Sequence, residues 1–120
     1  MVSSKKLVLV VDDNEDIRFL VKTWLTNAGF SVVTAVDGDD LIKKLDKNID
    51  LVLTDFHMPG PDPKIVLDSI KKKSPKAKII YLTGSVPDVM IKSPVVGFIS
   101  KPVEEEVLIK KLKELFLKNK

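Results

Sequence analysis

The feature that most constrains this chain of 120 residues is a set of four apolar runs that each end in a polar or charged side chain. The runs cover residues 7–11, 51–54, 79–82 and 98–100, and the side chains that follow them are Asp12 and Asp13, Asp55, Thr83 and Lys101. Aliphatic and β-branched runs separated by helical patterns are typical of parallel strands that are buried on both faces. Because the carboxyl ends of parallel strands meet at one edge, where ligands bind, these side chains are predicted to converge on one cleft.

The composition limits the classes of protein that fit. A length of 120 residues suits one domain over residues 1–120, with no room for a second. The absence of cysteine excludes a disulfide scaffold, a thiolate nucleophile and a sulfur-ligated metal. The first apolar run ends at Asp12, too soon for a signal peptide or a membrane span, so a cytoplasmic protein is expected. The small net charge of +3, without aromatic residues among the lysines, gives no support to direct nucleic-acid binding.

Helical patterns alternate with the apolar runs along the chain. The predicted strands cover residues 6–11, 31–35, 51–54, 78–82 and 96–100, and the predicted helices cover 15–28, a short segment after Asp37 and Gly38, 64–73 and 104–118. The first helix carries an apolar stripe made of Ile17, Leu20, Val21, Trp24, Leu25 and Ala28. Between the last two strands, Pro87 and Pro94 argue against a regular helix, so the helix expected there is predicted to be shortened or irregular.

This alternation predicts an α/β fold in a single three-layer domain. Connections of these lengths favour a five-stranded parallel sheet with helices on both faces. We predict the flavodoxin-like strand order 2-1-3-4-5, in which strands 1 and 3 are neighbours at the switch point. Asp12, Asp13 and Asp55 would then lie side by side.

The predicted cluster has the parts that phosphoryl transfer needs. Three neighbouring carboxylates repel one another and favour a hard cation such as Mg²⁺, which prefers oxygen ligands and phosphate. Asp55 is placed as a nucleophile toward phosphorus, since carboxylates form acyl phosphates. Thr83 would donate a hydrogen bond to the transferred group, and Lys101 would neutralise its charge.

Each of these residues also has an ordinary structural interpretation. A pair such as Asp12 and Asp13 before a helix is often only a cap, and Thr83 or Lys101 alone would be unremarkable. Their common position at the carboxyl ends of the strands favours a functional site. His57, the only histidine, lacks the second histidine or cysteine that a zinc site would want, so it is interpreted as a loop residue beside the site.

The same residues carry a specific resemblance. Asp12 and Asp13, Asp55 followed by Met58-Pro59, then Thr83 and finally Lys101-Pro102, in this order over the whole chain, closely resemble the receiver domain of two-component response regulators, the CheY-like superfamily. The resemblance implies a phosphoacceptor signalling domain of a phosphorelay that switches partner binding.

The resemblance also implies roles for single residues. Asp55 would accept a phosphoryl group from a histidine kinase or histidine phosphotransfer protein, and the downstream protein target is unknown. Asp13, Asp55 and the backbone carbonyl of His57 would hold Mg²⁺, and Asp12 would act through a bound water. The residues implied in phosphoryl binding and switching are Thr83, Gly84, Lys101 and Phe98.

Two features depart from the family pattern. Pro61-Asp62-Pro63 follows the phosphorylation site, so that loop is expected to be stiffer, and the interval from Thr83 to Lys101 is short by about one helical turn. No output domain is expected within these residues, which leaves open whether this is a stand-alone receiver or one domain of a longer protein.

Three other classes of protein share parts of this pattern. A small Mg²⁺-dependent phosphohydrolase of the haloacid dehalogenase type shares the strand-end aspartate, but it wants a second aspartate where this chain has His57. A receiver used only as a protein-binding module usually has a broken acidic site, and this one is intact. In a flavodoxin, Asp12 and Asp13 would repel the cofactor phosphate. We therefore expect self-phosphorylation and dephosphorylation but no turnover of a separate substrate, hence no enzyme in the usual sense.

Overall fold

The protein forms one parallel sheet with helices on both sides. The computed structural model describes residues 5–56, 60–84 and 94–117. The strands are β1 (Leu7–Val11), β2 (Ser31–Ala35), β3 (Leu51–Asp55), β4 (Lys78–Thr83) and β5 (Val95–Ser100), and the helices are α1 (Glu15–Asn27), α2 (Gly38–Lys44), α3 (Pro63–Lys73) and α4 (Glu105–Leu117). All strand pairs are parallel and the order is β2-β1-β3-β4-β5, which confirms the predicted fold and strand order.

The predicted element boundaries differ from these by one residue at most. For example, β5 begins at Val95 and α4 begins at Glu105, where the sequence patterns predicted 96 and 104. The prediction of a shortened or irregular helix before β5 concerns residues 85–93, which lie outside the described residues. None of the helices in the described ranges is long and apolar enough to cross a membrane.

Two apolar layers hold the sheet between its helices. Leu51 and Leu53 of β3 face the layer formed with α1 and α4, whereas Val52 faces the layer formed with α2 and α3. This alternation follows from the period of two in a strand. All three side chains are fully buried, and burial of each stabilises the fold by roughly 1.5–3 kcal/mol.

The apolar stripe of α1 is narrower than the sequence suggested. Val21 and Leu25 are buried and Trp24 packs against the same core layer, as predicted. Leu20, another member of the predicted stripe, is 43% exposed and lies outside the core. Successive residues of a helix are rotated by about 100°, which puts Leu20 at the border of the stripe and Phe19, 69% exposed, on the outer face.

The loop after β3 packs directly on the start of α2. Gly38 is buried, and a Cβ atom added there would lie 3.0 Å from Cδ of Pro61. Gly60 has φ +122°, a conformation that favours glycine, and its own added Cβ would lie 3.5 Å from the nitrogen of Gly38. The chain then enters α3, where Asp62 caps the helix and Pro63 is its first residue.

Candidate functional site

Three carboxylates meet at the carboxyl edge of the sheet. Asp12 and Asp13 follow β1 and Asp55 ends β3, and these two strands are paired neighbours. One oxygen from each carboxylate lies within 4.8 Å of the other two. Asp12 is fully buried, the Asp55 side chain is 10% exposed and Asp13 is exposed, so the cluster reaches the solvent through Asp13.

Lys101 supplies a positive charge to this cluster. Its Nζ lies 2.6 Å from Oδ2 of Asp55 and 3.2 Å from Oδ2 of Asp12. Partial burial alone would lower the pKa of Lys101, but the hydrogen bonds to Asp55 and Asp12 and the charges of these carboxylates outweigh it and raise the pKa. The repulsion expected among the carboxylates is therefore offset in part by the protein's own ammonium group.

The Asp12 residue is anchored through both its side chain and its backbone. Its Oδ1 accepts a hydrogen bond from the backbone N–H of Asn14 at 2.9 Å. Its backbone carbonyl accepts a hydrogen bond from Nη1 of Arg18 at 2.8 Å, and its backbone N–H donates to the carbonyl of Ala35 at 3.3 Å. No sequence pattern pointed to Arg18. Its position in the first turns of the helix that follows Asp12 and Asp13 could have indicated that its side chain lies near them.

Of the other predicted site residues, Thr83 and Gly84 are among the described residues and His57 is not. Thr83 is buried at the end of β4 and pairs in register with Ser100, and its carbonyl accepts a hydrogen bond from the Lys101 backbone N–H at 2.8 Å. Gly84 follows it and is exposed. These residues lie at the same sheet edge as the carboxylates. His57, together with Met58 and Pro59, lies outside the described residues.

Three aromatic rings pack beside the site. Tyr81 and Phe98 are paired in register and stack at 5.7 Å with an interplanar angle of 24°. The Phe56 ring meets Tyr81 edge-on at 5.0 Å and lies 6.2 Å from Phe98. Burial raises the pKa of Tyr81. Since Phe56 directly follows Asp55, this aromatic cluster of Phe56, Tyr81 and Phe98 links the acidic site to β5.

Of this cluster, only Phe98 was predicted from the sequence. The pairing of β4 with β5 places Tyr81 opposite Phe98, so the strand register was the signal that would have identified it. The Phe56 backbone N–H donates to the Leu82 carbonyl at 2.9 Å, which holds the residue after Asp55 against β4.

Comparison with known proteins decides the family. The response regulator receiver domain family matches residues 8–113. This chain belongs to that family. Receiver domains are phosphoacceptor domains of two-component signal transduction, so the phosphohydrolase alternative is not favoured.

Similar proteins agree with this assignment. A putative transcriptional regulator of Haloferax volcanii is 30% identical over 118 residues, which is 98% of this chain and 20% of that relative. A receiver domain from Methanospirillum hungatei has a TM-score of 0.81 and 26% identity, with 96% of each chain covered. The response regulator TrrA of Thermotoga maritima, in complex with Mg²⁺-BeF, has a TM-score of 0.77 and 35% identity, covering 92% of this chain and 98% of that one.

This receiver domain spans only a part of the curated relatives that it matches. It covers 20% of the Haloferax volcanii regulator and 24% of the Escherichia coli regulatory protein GlrR. The activities of those longer proteins therefore do not transfer to this chain with the family assignment.

Proposed function

We propose that this receiver domain accepts a phosphoryl group on Asp55. The observation that supports this choice is the combination of contact and exposure at Asp55. Asp55 and Asp12 both contact Lys101, but Asp12 is fully buried and its second oxygen is held by Asn14. The Asp55 side chain is partly exposed, so a phosphodonor can reach it.

The proposed reaction is a nucleophilic displacement at phosphorus. A carboxylate oxygen of Asp55 forms a bond to phosphorus, and the bond from phosphorus to the donor's leaving atom breaks. The Lys101 ammonium then pairs with the phosphoryl oxygens, which now carry the negative charge, in place of the carboxylate. The Thr83 hydroxyl donates a hydrogen bond to one of these oxygens. Phosphoryl transfer depends mainly on such positioning and charge stabilisation.

The acidic cluster fits a magnesium site. All its side-chain donors are carboxylate oxygens within 4.8 Å of one another, which is the ligand chemistry that Mg²⁺ prefers. We assign Asp13, Asp55 and the backbone carbonyl of His57 as ligands, with Asp12 acting through a bound water. When bound, the ion would neutralise charge on the transferred phosphoryl group. The Mg²⁺-BeF complex of the 35% identical TrrA supports the proposal.

The proposed phosphodonor is a histidine kinase or a histidine phosphotransfer protein. Such a partner has to bring its phosphohistidine to Asp55, and α1 begins directly beside the acidic cluster. Phe19 and Leu20 on this helix are 69% and 43% exposed and offer an apolar anchor next to the site. Phosphorylation would then change the binding of a downstream protein, without turnover of a separate substrate.

The test is phosphorylation by a small donor, acetyl phosphate or phosphoramidate with Mg²⁺, followed by mass spectrometry. The unmodified protein should gain one phosphoryl group, located on Asp55. Asp55→Asn should gain none, whereas Asp68→Asn, which removes an exposed carboxylate from α3, should behave like the unmodified protein. Unchanged stoichiometry in Asp55→Asn would overturn the assignment.

A further inference from the structure

Arg18 is the only arginine among the twenty cationic residues of the chain, and its guanidinium contacts the backbone next to the acidic cluster. Nη1 of Arg18 donates a hydrogen bond of 2.8 Å to the carbonyl oxygen of Asp12. The side chain is half-buried, so the guanidinium reaches inward although α1 is a surface helix. A hydrogen bond with a charged donor is stronger than one between neutral groups.

The bonded carbonyl belongs to the peptide unit that joins Asp12 to Asp13. A peptide unit is planar, so holding its oxygen also restricts the directions in which the Cα atoms of both residues project their side chains. The Asp12 side chain has a second restraint in the backbone N–H of Asn14, 2.9 Å from Oδ1. Asp13, in contrast, is exposed, and among the described residues no cation pairs with it.

We propose that Arg18 is a positioning residue, which holds the Asp12–Asp13 peptide so that both carboxylates face the cation site. This inference rests on the proposed function, because it assigns Arg18 to the geometry of the same Mg²⁺ site. Residues that orient metal ligands act as a second layer of a metal site, and their loss typically weakens binding about tenfold or more.

A purely electrostatic role for Arg18 predicts the opposite sign. Its guanidinium carries a positive charge and is hydrogen-bonded to the carbonyl of Asp12, a member of the acidic cluster, so it repels a cation bound there. If charge were the whole effect, removing Arg18 would tighten Mg²⁺ binding. If positioning dominates, removing Arg18 weakens binding despite the lost repulsion. The sign of the change in dissociation constant therefore separates the two roles.

The experiment compares the full chain with Arg18→Ala and with Lys22→Ala as the matched control. Lys22 lies one turn further along α1, is exposed and carries the same charge. Calorimetry measures the Mg²⁺ affinity, and thermal unfolding measures the metal-free melting temperature. The rate of phosphorylation is measured with acetyl phosphate as the donor at saturating Mg²⁺. The chemical shift of the Asp13 backbone ¹⁵N reports directly on the hydrogen bond to the preceding carbonyl.

For Arg18→Ala we expect a dissociation constant about threefold to tenfold higher, since the lost repulsion offsets part of the loss typical of such residues. The phosphorylation rate should fall by about tenfold even at saturating Mg²⁺, because the carboxylates remain misplaced. The Asp13 ¹⁵N shift should move in Arg18→Ala and stay in place in Lys22→Ala. Lys22→Ala should keep the affinity within about twofold, because the charge of this exposed side chain is screened by solvent and salt.

Tighter Mg²⁺ binding in Arg18→Ala, or an unchanged phosphorylation rate at saturating Mg²⁺, would overturn the positioning role. A change that only lowers the melting temperature, with affinity and rate intact, would show that Arg18 serves the fold alone and would also overturn it. The unmodified protein tests the proposed function separately. If it neither binds Mg²⁺ nor accepts a phosphoryl group, the proposed function fails first and this inference fails with it.

Discussion

The ammonium of Lys101 lies 2.6 Å from Oδ2 of Asp55, 46 residues earlier in the chain, and bridges it to the fully buried Asp12. Lys101 therefore has a structural partner before any phosphoryl group arrives. Phosphorylation of Asp55 would change that partner, because the carboxylate becomes an acyl phosphate and the negative charge moves to the phosphoryl oxygens. The ion pair is thus a stabilising contact that the proposed phosphorylation of Asp55 would have to rearrange.

Removal of Lys101 should destabilise the metal-free protein. Lys101→Ala leaves buried Asp12 without its cation, and because the lysine is partly exposed we expect a loss of about 1–2 kcal/mol, below the value for a fully buried pair. Lys76→Ala is the matched control, since Lys76 pairs with Asp50 at 3.4 Å but is 57% exposed, and its loss should cost less than about 1 kcal/mol. Urea unfolding with a chelator present measures both. Equal losses in the two variants would contradict this view of Lys101.

Mg²⁺ should raise the melting temperature of the protein, and Asp13 should control the size of the effect. A ligand that binds only the folded state stabilises it by about 2.7 kcal/mol at a hundredfold excess over Kd. Asp13→Asn removes the exposed member of three repelling carboxylates, so it should stabilise the metal-free protein and reduce the response to Mg²⁺. Thermal unfolding with and without Mg²⁺ tests this. A variant that is less stable without metal, yet responds equally to it, would refute the model.

The single tyrosine should report on the state of Asp55. The Tyr81 ring contacts Phe56, which follows Asp55, and stacks on Phe98 of β5. Beryllofluoride with Mg²⁺ should therefore shift the ¹⁹F resonance of 3-fluorotyrosine at Tyr81. Trp24, the single tryptophan, packs in the core layer on the other side of the sheet from Tyr81. Beryllofluoride should therefore affect the Trp24 fluorescence less than the Tyr81 resonance. The response should vanish in Asp55→Asn, and a Tyr81 signal that stays fixed while beryllofluoride binds would exclude this link.

Tyr81 should also make the stability depend on alkaline pH. Burial raises the pKa of Tyr81 in the folded state, so the unfolded chain loses the phenol proton first as the pH rises. The neutral phenol contributes fully to the free energy of unfolding below a pH of about 10, and this contribution is lost as the pH rises through the raised pKa of Tyr81. Tyr81→Phe should lose less stability than the unmodified protein over that range. Urea unfolding at several alkaline pH values measures the difference, and parallel pH curves would contradict it.

Phe19 should matter for a protein phosphodonor and not for a small one. Phe19→Ala removes the most exposed large apolar side chain on α1, so transfer from a phosphorylated histidine phosphotransfer protein should slow about tenfold, as for an interface hot spot. Phosphorylation by acetyl phosphate should be unchanged. Leu117→Ala removes a comparably exposed side chain at the far end of α4 and serves as the control. Equal slowing in both variants would argue against a docking role for Phe19.

The sequence was sufficient for the parts of the site that follow from topology. Asp12, Asp55 and Thr83 each end an apolar run, and the parallel order brings every such end to one edge. This is why the acidic cluster was predictable without any knowledge of side-chain contacts. The same rule placed Lys101 at the edge but did not show that its ammonium bridges Asp55 and Asp12.

The parts that were missed depend on side-chain reach and helix rotation. Arg18 contacts the Asp12 carbonyl through a long side chain whose direction no sequence pattern specifies. Leu20 was included in the apolar stripe although it is exposed, because apolar spacing defines a stripe but not its width. The Tyr81–Phe98 stack required the register of β4 and β5, which follows from the assembled sheet alone.

The close approach of Gly38 to Pro61 has a consequence for how this chain can evolve. The two residues flank β3 on either side in sequence, yet an added methyl group at position 38 would lie only 3.0 Å from the proline ring. A side chain gained at position 38 therefore requires the Pro61 ring to move by a few tenths of an ångström. Substitutions at position 38 are therefore coupled to position 61, and a mutational library that varies both positions should tolerate larger residues at 38 more often when residue 61 is smaller than proline.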